Sequence, residues 1–472
     1  MSIRVVVCIL LAVYFSIYAW RNYFVSLCAA ILAMAIMQHP DVIENLKGIG
    51  GIQGLNLWNI IMFNVCLSWL AHRRSEGSVW DMPRYIRNLL LAYLFIMALS
   101  AVRLLFHIPY QYGLTFGGVI SEDFINSIKW VVPGLILFDA CRTQRRVTVA
   151  LLVIVGLNLL LALQVIKHMP PSYALSDEFQ HIAAKLVQNE TGYNRVTLSM
   201  MLGGASWAAL MLLPLGQTQR QRYMIFAAAG TIALGQALTG GRSGYVAWGI
   251  VGLILGVVHW RRILIFIPIV VIAVCVFLPA VRDRMLQGFT SNGAAPDTYE
   301  VTSGRNIAWP YVIAKIKEEP LFGFGREAMI TTGIYQRILD ETYQDESFPH
   351  PHNAYLQLLL DDGIFGFLLV IPFYFVVLRL GFRLLSERDD PLCKAVGGVG
   401  VSMVLALMVA GLAGETFYPR EGAIGMWAAI GVLLRIVVEQ QKATEENTRL
   451  FGEPETSGDE PGTEVEASHI SA

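Results

Sequence analysis

Apolar runs of seventeen or more residues recur along most of this chain, and they restrict it to one kind of fold. A bilayer offers the backbone no hydrogen-bond partners, so a run long enough to cross it folds as an α-helix. The 472 residues are 55% hydrophobic and only 15% charged. We therefore predict an all-α, polytopic integral membrane protein with about 12–13 transmembrane helices.

The distribution of arginine predicts which loops face the cytosol. Arginine clusters occupy every second loop, at residues 73–87, 142–146, 220–222, 261–262 and 379–388. By the positive-inside rule these loops are cytosolic, so the polar insertion 282–353 is external. The amino end does not fit: Arg4 suggests an internal terminus, whereas thirteen crossings would place it outside. Either residues 5–37 do not form two full spans, or one short run such as 126–139 is re-entrant.

Three regions follow from this pattern. Residues 1–195 hold amino-terminal transmembrane helices, residues 196–438 form a core that includes the insertion, and residues 439–472 form a tail. Because nine acidic residues lie beyond Val438, we expect the tail to be a disordered cytosolic segment. The six cysteines lack metal-ligand spacing, and a net charge of −1 gives no sign of nucleic-acid binding.

The external insertion contains a short amphipathic pattern from Trp309 to Pro320, which predicts a helix with Pro310 in its first turn. Arg305 lies just before this helix, where a cation opposes the helix dipole. It is therefore better placed to bind an anion than to stabilise the helix. A second arginine, Arg326, follows a Gly-Phe-Gly turn, and the insertion ends at His350-Pro-His352-Asn353.

Two further positions carry charge at the membrane boundary. Arg242 lies in a turn of a few residues between two spans, where its planar guanidinium suits a phosphate; contact with lipid head groups is the alternative. Asp361 and Asp362 lie inside the next apolar run and need a partner or a wet cavity. The glycines at 363 and 366 are interpreted as close-packing positions. A structural role for His352 also stays open, and the sequence does not order His350 and His352.

Taken in order, these fragments resemble one known family. The pattern is Thr-Gly-x-Arg-Ser at Arg242, Gly-Arg-x-x-x-Trp at Arg305, Gly-x-Gly, and then His-Asn-x-x-Leu-x-x-Leu-x-x-x-Gly-x-x-Gly from His352. It resembles the O-antigen ligase and polymerase superfamily of bacterial envelope glycosyltransferases, over roughly residues 195–380. That family takes a glycan from an undecaprenyl diphosphate carrier at the periplasmic face of the inner membrane. It joins the glycan to an acceptor hydroxyl without a metal or other cofactor.

The resemblance also implies roles for individual residues. Arg242 and Arg305 would hold the diphosphate, and His352 would be the general base. Further candidates for substrate binding are Arg195, Asn353, Asp361, Arg326, His350 and Glu415. We expect a direct displacement that inverts the anomeric configuration.

The acceptor is left open by the sequence: a glycan, lipid A core and a protein all remain, and with them the choice between ligase and polymerase. Other envelope polysaccharide assembly proteins are further candidate partners, and the lipid bilayer surrounds the chain. The competing function is a polysaccharide or lipid transporter or flippase, in which Asp361 and Asp362 would be gating groups. A sensor that signals through its tail is a third interpretation.

Overall fold

The computed structural model describes residues 2–46, 56–75, 79–170, 172–173, 179–287, 299, 302, 304–342, 348–387 and 390–451. Arg388 of the last basic cluster lies outside these ranges. Within them every regular element is helical and none is a strand. The predicted all-α class is therefore confirmed.

The amino-terminal region is a set of packed helices that surround the start of the core. They are α1 Ile3–Ala19, α2 Tyr23–Met37, α3 Pro40–Leu46, α4 Leu57–Ser75, α5 Arg84–Leu105, α6 Val132–Ala140, α7 Gln144–His168 and α8 Phe179–Thr191. The start of α7 is fixed by Thr143, whose side-chain oxygen accepts a hydrogen bond from the Arg146 amide at 3.3 Å.

The core and the external insertion follow in the order of the chain. The core helices are α9 Arg195–Leu210, α10 Gln219–Leu238, α11 Arg242–Val258 and α12 Phe266–Phe277 before the insertion, and α17 Ala354–Leu385, α18 Pro391–Ala410 and α19 Ile424–Phe451 after it. The insertion contributes α13 Pro279–Leu286, α14 Arg305–Glu318, α15 Ala328–Thr331 and α16 Ile334–Glu341.

Among the helices of the described ranges, six are long and apolar enough to cross a membrane. They are Arg84–Leu105, Gln144–His168, Arg195–Leu215, Ala354–Leu385, Pro391–Ala410 and Glu421–Glu446. The pair α2 and α3, bent by 99°, makes a seventh if it is one span, and α1 and α11 are shorter apolar helices. The polytopic prediction is confirmed, although fewer described helices meet these criteria than the twelve or thirteen expected.

The run 126–139, expected to be one short span or a re-entrant segment, is broken. It forms a turn of helix at Asn126–Lys129 and then α6, preceded by a π-helical turn at Val119–Ile125. Gly134 lets α6 approach α19 closely, because a Cβ there would lie 2.2 Å from the Trp427 carbonyl oxygen.

The amino terminus lies at the end of the bundle where the predicted external loops lie. Arg4 is 3.8 Å from Glu190 at the end of α8. At the other end of α1, the Ala19 carbonyl accepts a hydrogen bond from Ser68 at 2.6 Å, one turn before Arg73. Residues 3–37 thus form two antiparallel helices, and this arrangement fits an odd number of crossings.

The last helix extends into the segment expected to be disordered. Helix α19 continues to Phe451 instead of ending near Val438. Arg435 contacts Glu439 one turn ahead at 3.0 Å, and Lys442 contacts Asp81 at 2.5 Å. These ion pairs stabilise the extension, and residues 439–451 are helical. Residues 452–472 lie outside the described ranges, and a cytosolic tail stays a prediction.

The insertion has a small hydrophobic core of its own. Helix α14 begins at Arg305 instead of Trp309, so Pro310 lies inside the helix and not in its first turn. Its inner face packs with α15, α16 and the outer end of α17. The buried apolar residues shared by these elements include Ala308, Val312, Met329, Ile338, Phe348 and Leu360.

Helix α17 is interrupted at Gly363, whose φ of 64° and ψ of −167° are not helical. The loop from Pro320 to Gly325 occupies the break. The Phe324 and Gly325 amides donate to the carbonyls of Leu360 and Asp361, and the Ile364 amide donates to the Pro320 carbonyl. A Cβ at Gly363 would lie 2.3 Å from the Leu321 carbonyl oxygen. Gly363 is therefore needed for its backbone conformation as well as for close packing.

Candidate functional site

Three arginines occupy the first position of a helix at the end predicted to be external. Arg195 begins α9, Arg242 begins α11 and Arg305 begins α14. The start of a helix carries a partial positive charge and unpaired backbone amides. Adding a guanidinium there is unfavourable for the helix but favourable for binding an anion.

The turn before Arg242 is held from two sides. Gly240 has a φ of 70°, and the Gly241 carbonyl accepts a hydrogen bond from Ser199 at 3.0 Å. On the other side, Arg284 donates to the Gly240 carbonyl at 3.4 Å. Arg242 itself donates to the carbonyl of Gln287 at 3.3 Å. Its guanidinium is thus fixed at the start of α11, next to the end of α13.

Arg305 joins the insertion to the last external loop. Its Nη2 donates to the Ala413 carbonyl at 3.2 Å. Burial, and then the nearby charge of Arg242, lower the pKa of Arg305 below the usual value. Because the charge of Arg242 acts on Arg305, a bound anion would relieve their repulsion.

The segment Phe348–Asn353 places two imidazoles beside these cations. Asn353 caps α17, since its side-chain oxygen accepts hydrogen bonds from the amides of Tyr355 and Leu356 at 3.0 and 3.1 Å. The Pro351 carbonyl accepts from the Trp309 indole at 3.0 Å. These contacts fix the second half of the segment, and they assign the side-chain oxygen of Asn353, a candidate for substrate binding, to capping.

His352 lies in a left-handed backbone conformation, with φ of 50°. Its ring is 4.1 Å from the ring of His350, measured between centroids, and it meets Phe348 edge-on. Burial, followed by the charges of His350 and Arg305, lowers the pKa of His352 to about 4, and Glu415 only partly opposes this. The imidazole is therefore neutral at physiological pH.

His350 has a carboxylate partner. Its Nδ1 is 2.6 Å from Oε1 of Glu415, whose side chain is only 8% exposed, and the other carboxylate oxygen is 3.0 Å from Arg420. Burial opposes ionisation of Glu415, but the hydrogen bond and charge of His350, together with Arg420, outweigh it. The pKa of Glu415 is consequently held well below its usual value.

Arg326 and Asp361, expected to bind substrate, are instead buried against each other. They are 3% and 1% exposed, and Arg326 Nη1 lies 3.8 Å from Asp361 Oδ2. Arg326 also contacts Asp123 at 3.2 Å and stacks over the Tyr418 ring at 3.7 Å. Asp361 accepts from the Ala328 amide at 3.3 Å. Both groups lie inside the protein with a charged neighbour, and their role in substrate binding stays a prediction.

Asp123, Tyr418 and Arg420 were not expected from the sequence. Asp123 is 203 positions from Arg326, and no spacing rule pairs residues so far apart. Tyr418 donates to Asp362 at 2.7 Å, which gives that acid the partner it needed. The sequence did contain a signal for the contact between Arg420 and Glu415, because the two residues lie in the same short loop.

A cavity of about 530 Å³ lies between the external end of α5 and the loop in the α17 break. Its lining includes Arg103, His107, Phe322 and Arg326, but not Arg242, Arg305, His350 or His352. Among the residues that the structure describes, no group of three or more His, Cys, Asp or Glu side chains is arranged to hold a metal ion.

Comparison with known families bears on the same region. Residues 225–371 match the family model described as O-antigen ligase. The matched range includes Arg242, Arg305 and both histidines, whereas Arg195 and Glu415 lie outside it. No curated protein sequence matches the chain.

Proposed function

We propose that this protein, whose residues 225–371 belong to the O-antigen ligase and polymerase superfamily, transfers a glycan from an undecaprenyl diphosphate carrier to an acceptor hydroxyl. The reaction takes place at the periplasmic face of the bacterial inner membrane. One observation carries the proposal: residues far apart in sequence meet at one short loop. Arg305 donates to the Ala413 carbonyl, His350 contacts Glu415 two residues further on, and the His352 ring packs on His350. The charge of Arg242 also acts on Arg305.

The arginines would bind and stabilise the leaving group. Breaking the bond between the sugar and the diphosphate leaves negative charge on the phosphate oxygens. Arg242 and Arg305 are both held by backbone carbonyls, so their donors are in place before the reaction begins. Such preorganised donors typically contribute most to catalysis, on the order of a hundredfold to a thousandfold for one group. Arg195, at the start of α9, would add to the positive potential.

The imidazole pair would take the proton of the attacking hydroxyl. The family pattern marks His352, which faces Arg305 and is neutral at physiological pH. A base in this position contributes roughly two to four decades of rate. Direct attack by the acceptor on the anomeric carbon inverts its configuration, so retention in the product would contradict this mechanism.

The acceptor class separates two forms of the activity. Transfer to another repeat unit would make the protein a polysaccharide polymerase, and transfer to lipid A core or a protein would make it a ligase. Offering the purified protein each acceptor in turn distinguishes them, because only the preferred acceptor gains mass.

The transporter alternative would use Asp361 and Asp362 as gating groups beside a broken helix. Both acids have partners in the structure, Arg326 and Tyr418, and the break in α17 is occupied by the loop 320–325. This arrangement supports a rigid connection between the insertion and α17 more than a moving gate. It therefore favours the glycosyltransferase over the transporter.

The first test uses purified protein in lipid vesicles with a labelled undecaprenyl-diphosphate oligosaccharide and an acceptor. We expect Arg242→Ala and Arg305→Ala each to lower kcat at least a hundredfold, since each removes a donor to the leaving group. Arg337→Ala is the matched control, because Arg337 is exposed and its contacts with Glu341 and the Tyr311 ring lie within the insertion.

Release of undecaprenyl diphosphate coupled to transferred glycan is the expected signal from the wild-type protein. Movement of the labelled lipid between leaflets without bond cleavage would instead support the transporter. Full activity in both arginine variants would overturn the diphosphate clamp.

A further inference from the structure

We infer that the cavity between the carboxyl end of α5 and the loop 320–325 binds sugar residues of the acceptor, so that the acceptor is a glycan and not a protein. This inference rests on the proposed function. It names the second substrate of the same reaction and gives it a site apart from the arginines that would hold the diphosphate.

The cavity combines exposed aromatic rings with polar side chains. Phe106 and Phe322 line it and are 77% and 58% exposed. Arg103 and His107 come from the end of α5 and the residues after it, and Glu319 comes from the end of α14. A pyranose ring has a face of C–H groups, which stacks on an aromatic ring, and a rim of hydroxyls, which donate and accept hydrogen bonds. The lining offers both kinds of contact.

The size of the cavity suits a short oligosaccharide. Its volume of about 530 Å³ lies within the range of roughly 300–1,000 Å³ that is typical of sites for small molecules. A ligand of a few rings is enclosed by a space of this size. A folded protein acceptor would need a much broader surface, so the volume favours a glycan.

The charges of the lining favour a glycan over a phosphate. Both terminal nitrogens of Arg103 donate to backbone carbonyls of the loop 320–325, at 2.6 and 2.7 Å. Arg326, the other arginine of the lining, is 3.2 Å from Asp123. An anion would therefore meet cations that already have partners, and the carboxylate of Glu319 would repel it.

A lipid chain is the competing occupant, because exposed aromatic rings are common at membrane boundaries. A hydrocarbon chain in the cavity would displace water from His107 and Glu319 without replacing its hydrogen bonds. The hydroxyls of a sugar chain would replace them. The polar part of the lining therefore favours a glycan over a lipid.

The cavity meets the candidate site at the loop between α18 and α19. Arg326 lines the cavity and lies over the ring of Tyr418 in that loop. Glu415 of the same loop is 2.6 Å from His350. Arg305 contacts this loop through a backbone carbonyl but does not line the cavity. A glycan in the cavity would thus lie beside the loop that holds the histidine segment and apart from the diphosphate clamp, as an acceptor requires.

The first experiment compares two adjacent, similarly exposed residues. Phe322 lines the cavity, whereas Leu321, 59% exposed, does not. Saturation-transfer NMR on protein in nanodiscs measures binding of two probes: the repeat-unit oligosaccharide released from the carrier by mild acid, and the core oligosaccharide released from lipopolysaccharide. We expect the wild-type protein to bind one of them and Phe322→Ala to raise its Kd about threefold to tenfold, the loss typical of one aromatic contact.

Leu321→Ala is the matched control and should leave the Kd within twofold. In the vesicle assay with the donor and the oligosaccharide that binds, Phe322→Ala should raise KM for the acceptor by the same factor and leave KM for the donor unchanged. Binding of neither probe to the wild-type protein, or equal effects of the two variants, overturns the inference. A rise in KM for the donor alone also overturns it, because the cavity would then hold the donor.

A second pair of variants separates a glycan from a lipid in the cavity. Glu319 lines the cavity, whereas its neighbour Glu318 pairs with Lys315 at 2.6 Å. We expect Glu319→Ala to raise the Kd of the oligosaccharide at least threefold, since hydrogen bonds to a charged group are lost, and Glu318→Ala to leave it unchanged. No effect of Glu319→Ala would contradict a glycan site.

The inference and the proposed function fail differently. If the wild-type protein binds an oligosaccharide but transfers no glycan, the proposed function is wrong. If transfer occurs but Phe322→Ala behaves like Leu321→Ala, only the acceptor site is wrong. Transfer to a protein acceptor alone would likewise overturn the acceptor site and leave the proposed function in place.

Discussion

At the scale of single residues, the chemistry of this site depends on cations and imidazoles placed where they are unfavourable for the fold. Arg242 and Arg305 begin helices whose dipoles they oppose. His352 adopts a left-handed conformation that few residues other than glycine adopt. Unfavourable electrostatic and backbone conformational energies that occur together in one region are typical of functional sites.

The low pKa of His352 predicts how the stability of the protein responds to acid. The folded state keeps the imidazole neutral down to pH about 4, whereas the unfolded chain takes up a proton near pH 6.5. Stability conferred by His352 is therefore present above pH 6.5 and is lost as the pH falls towards 4, by on the order of 2 kcal/mol.

Thermal unfolding of detergent-solubilised protein at pH 7 and pH 4.5 measures this effect. We expect the wild-type Tm to fall more than that of His352→Gln, which has no imidazole to titrate at this position. Glu415 adds to the acid loss in both proteins, because its pKa is also held low and its contribution disappears as the pH falls. Equal decreases in Tm would contradict the buried, neutral state of His352.

The sequence predicted individual candidate residues better than it predicted their contacts. Arg242, Arg305 and the histidine segment were identifiable because each belongs to a short ordered pattern. The burial of Arg326 against Asp361 was not, since a charged residue after a glycine turn looks the same whether it faces water or the interior. Pairing between distant residues is a property of the packed chain, and local patterns do not contain it.

At the scale of elements, the break in α17 is the feature that connects the insertion to the bundle. The loop 320–325 supplies backbone hydrogen bonds to both sides of Gly363, so the break leaves the amides and carbonyls there paired. From the sequence, this glycine was interpreted only as a packing position. A span with an interrupted hydrogen-bond pattern has the same apolar composition as a continuous one, so hydropathy does not reveal the break.

Substitution of Gly363 tests this role. We expect Gly363→Ala to destabilise the protein by about 1–3 kcal/mol, because its φ is positive and the new Cβ would overlap the Leu321 carbonyl. Glycosyl transfer should fall with it, since the insertion carries Arg305. The measurement is the Tm and the transfer rate of the purified variant.

Gly230→Ala is the control for that experiment. Gly230 lies in α10, and nothing lies within 4 Å of the position that a Cβ would occupy there, so alanine should leave stability unchanged or slightly raise it. A Gly363→Ala variant as stable as Gly230→Ala would contradict the role assigned to the break.

At the scale of the whole molecule, the arrangement of helices places the amino terminus with the loops predicted to be external. The sequence alone left this open, because Arg4 followed the usual sign of an internal end. In the structure Arg4 lies close to Asp41 and Glu190, and these acids offset its positive charge. The positive-inside rule concerns loop charge exposed during insertion, and one paired arginine is a weak signal.

Cysteine labelling tests the orientation of the chain. In a background without the six native cysteines, Ser2→Cys should react with a membrane-impermeant maleimide when only the outer membrane is permeabilised. Ser75→Cys, at the opposite end of the bundle beside Arg73 and Arg74, should react only after the inner membrane is lysed. Labelling of Ser2→Cys only after lysis would place the terminus in the cytosol.

The interruption at Gly363 also divides the chain for protein engineering. Residues 354–362 pack and bond with the insertion, and the Ile364 and Phe365 amides still donate to its Pro320 and Leu321 carbonyls. The uninterrupted part of the helix follows. A chimera that exchanges the insertion between relatives should therefore be joined after Phe365 and not at the water boundary near Asn353. Joined there, the insertion keeps its own hydrophobic core, and the membrane bundle receives a helix that begins where its own hydrogen bonding resumes.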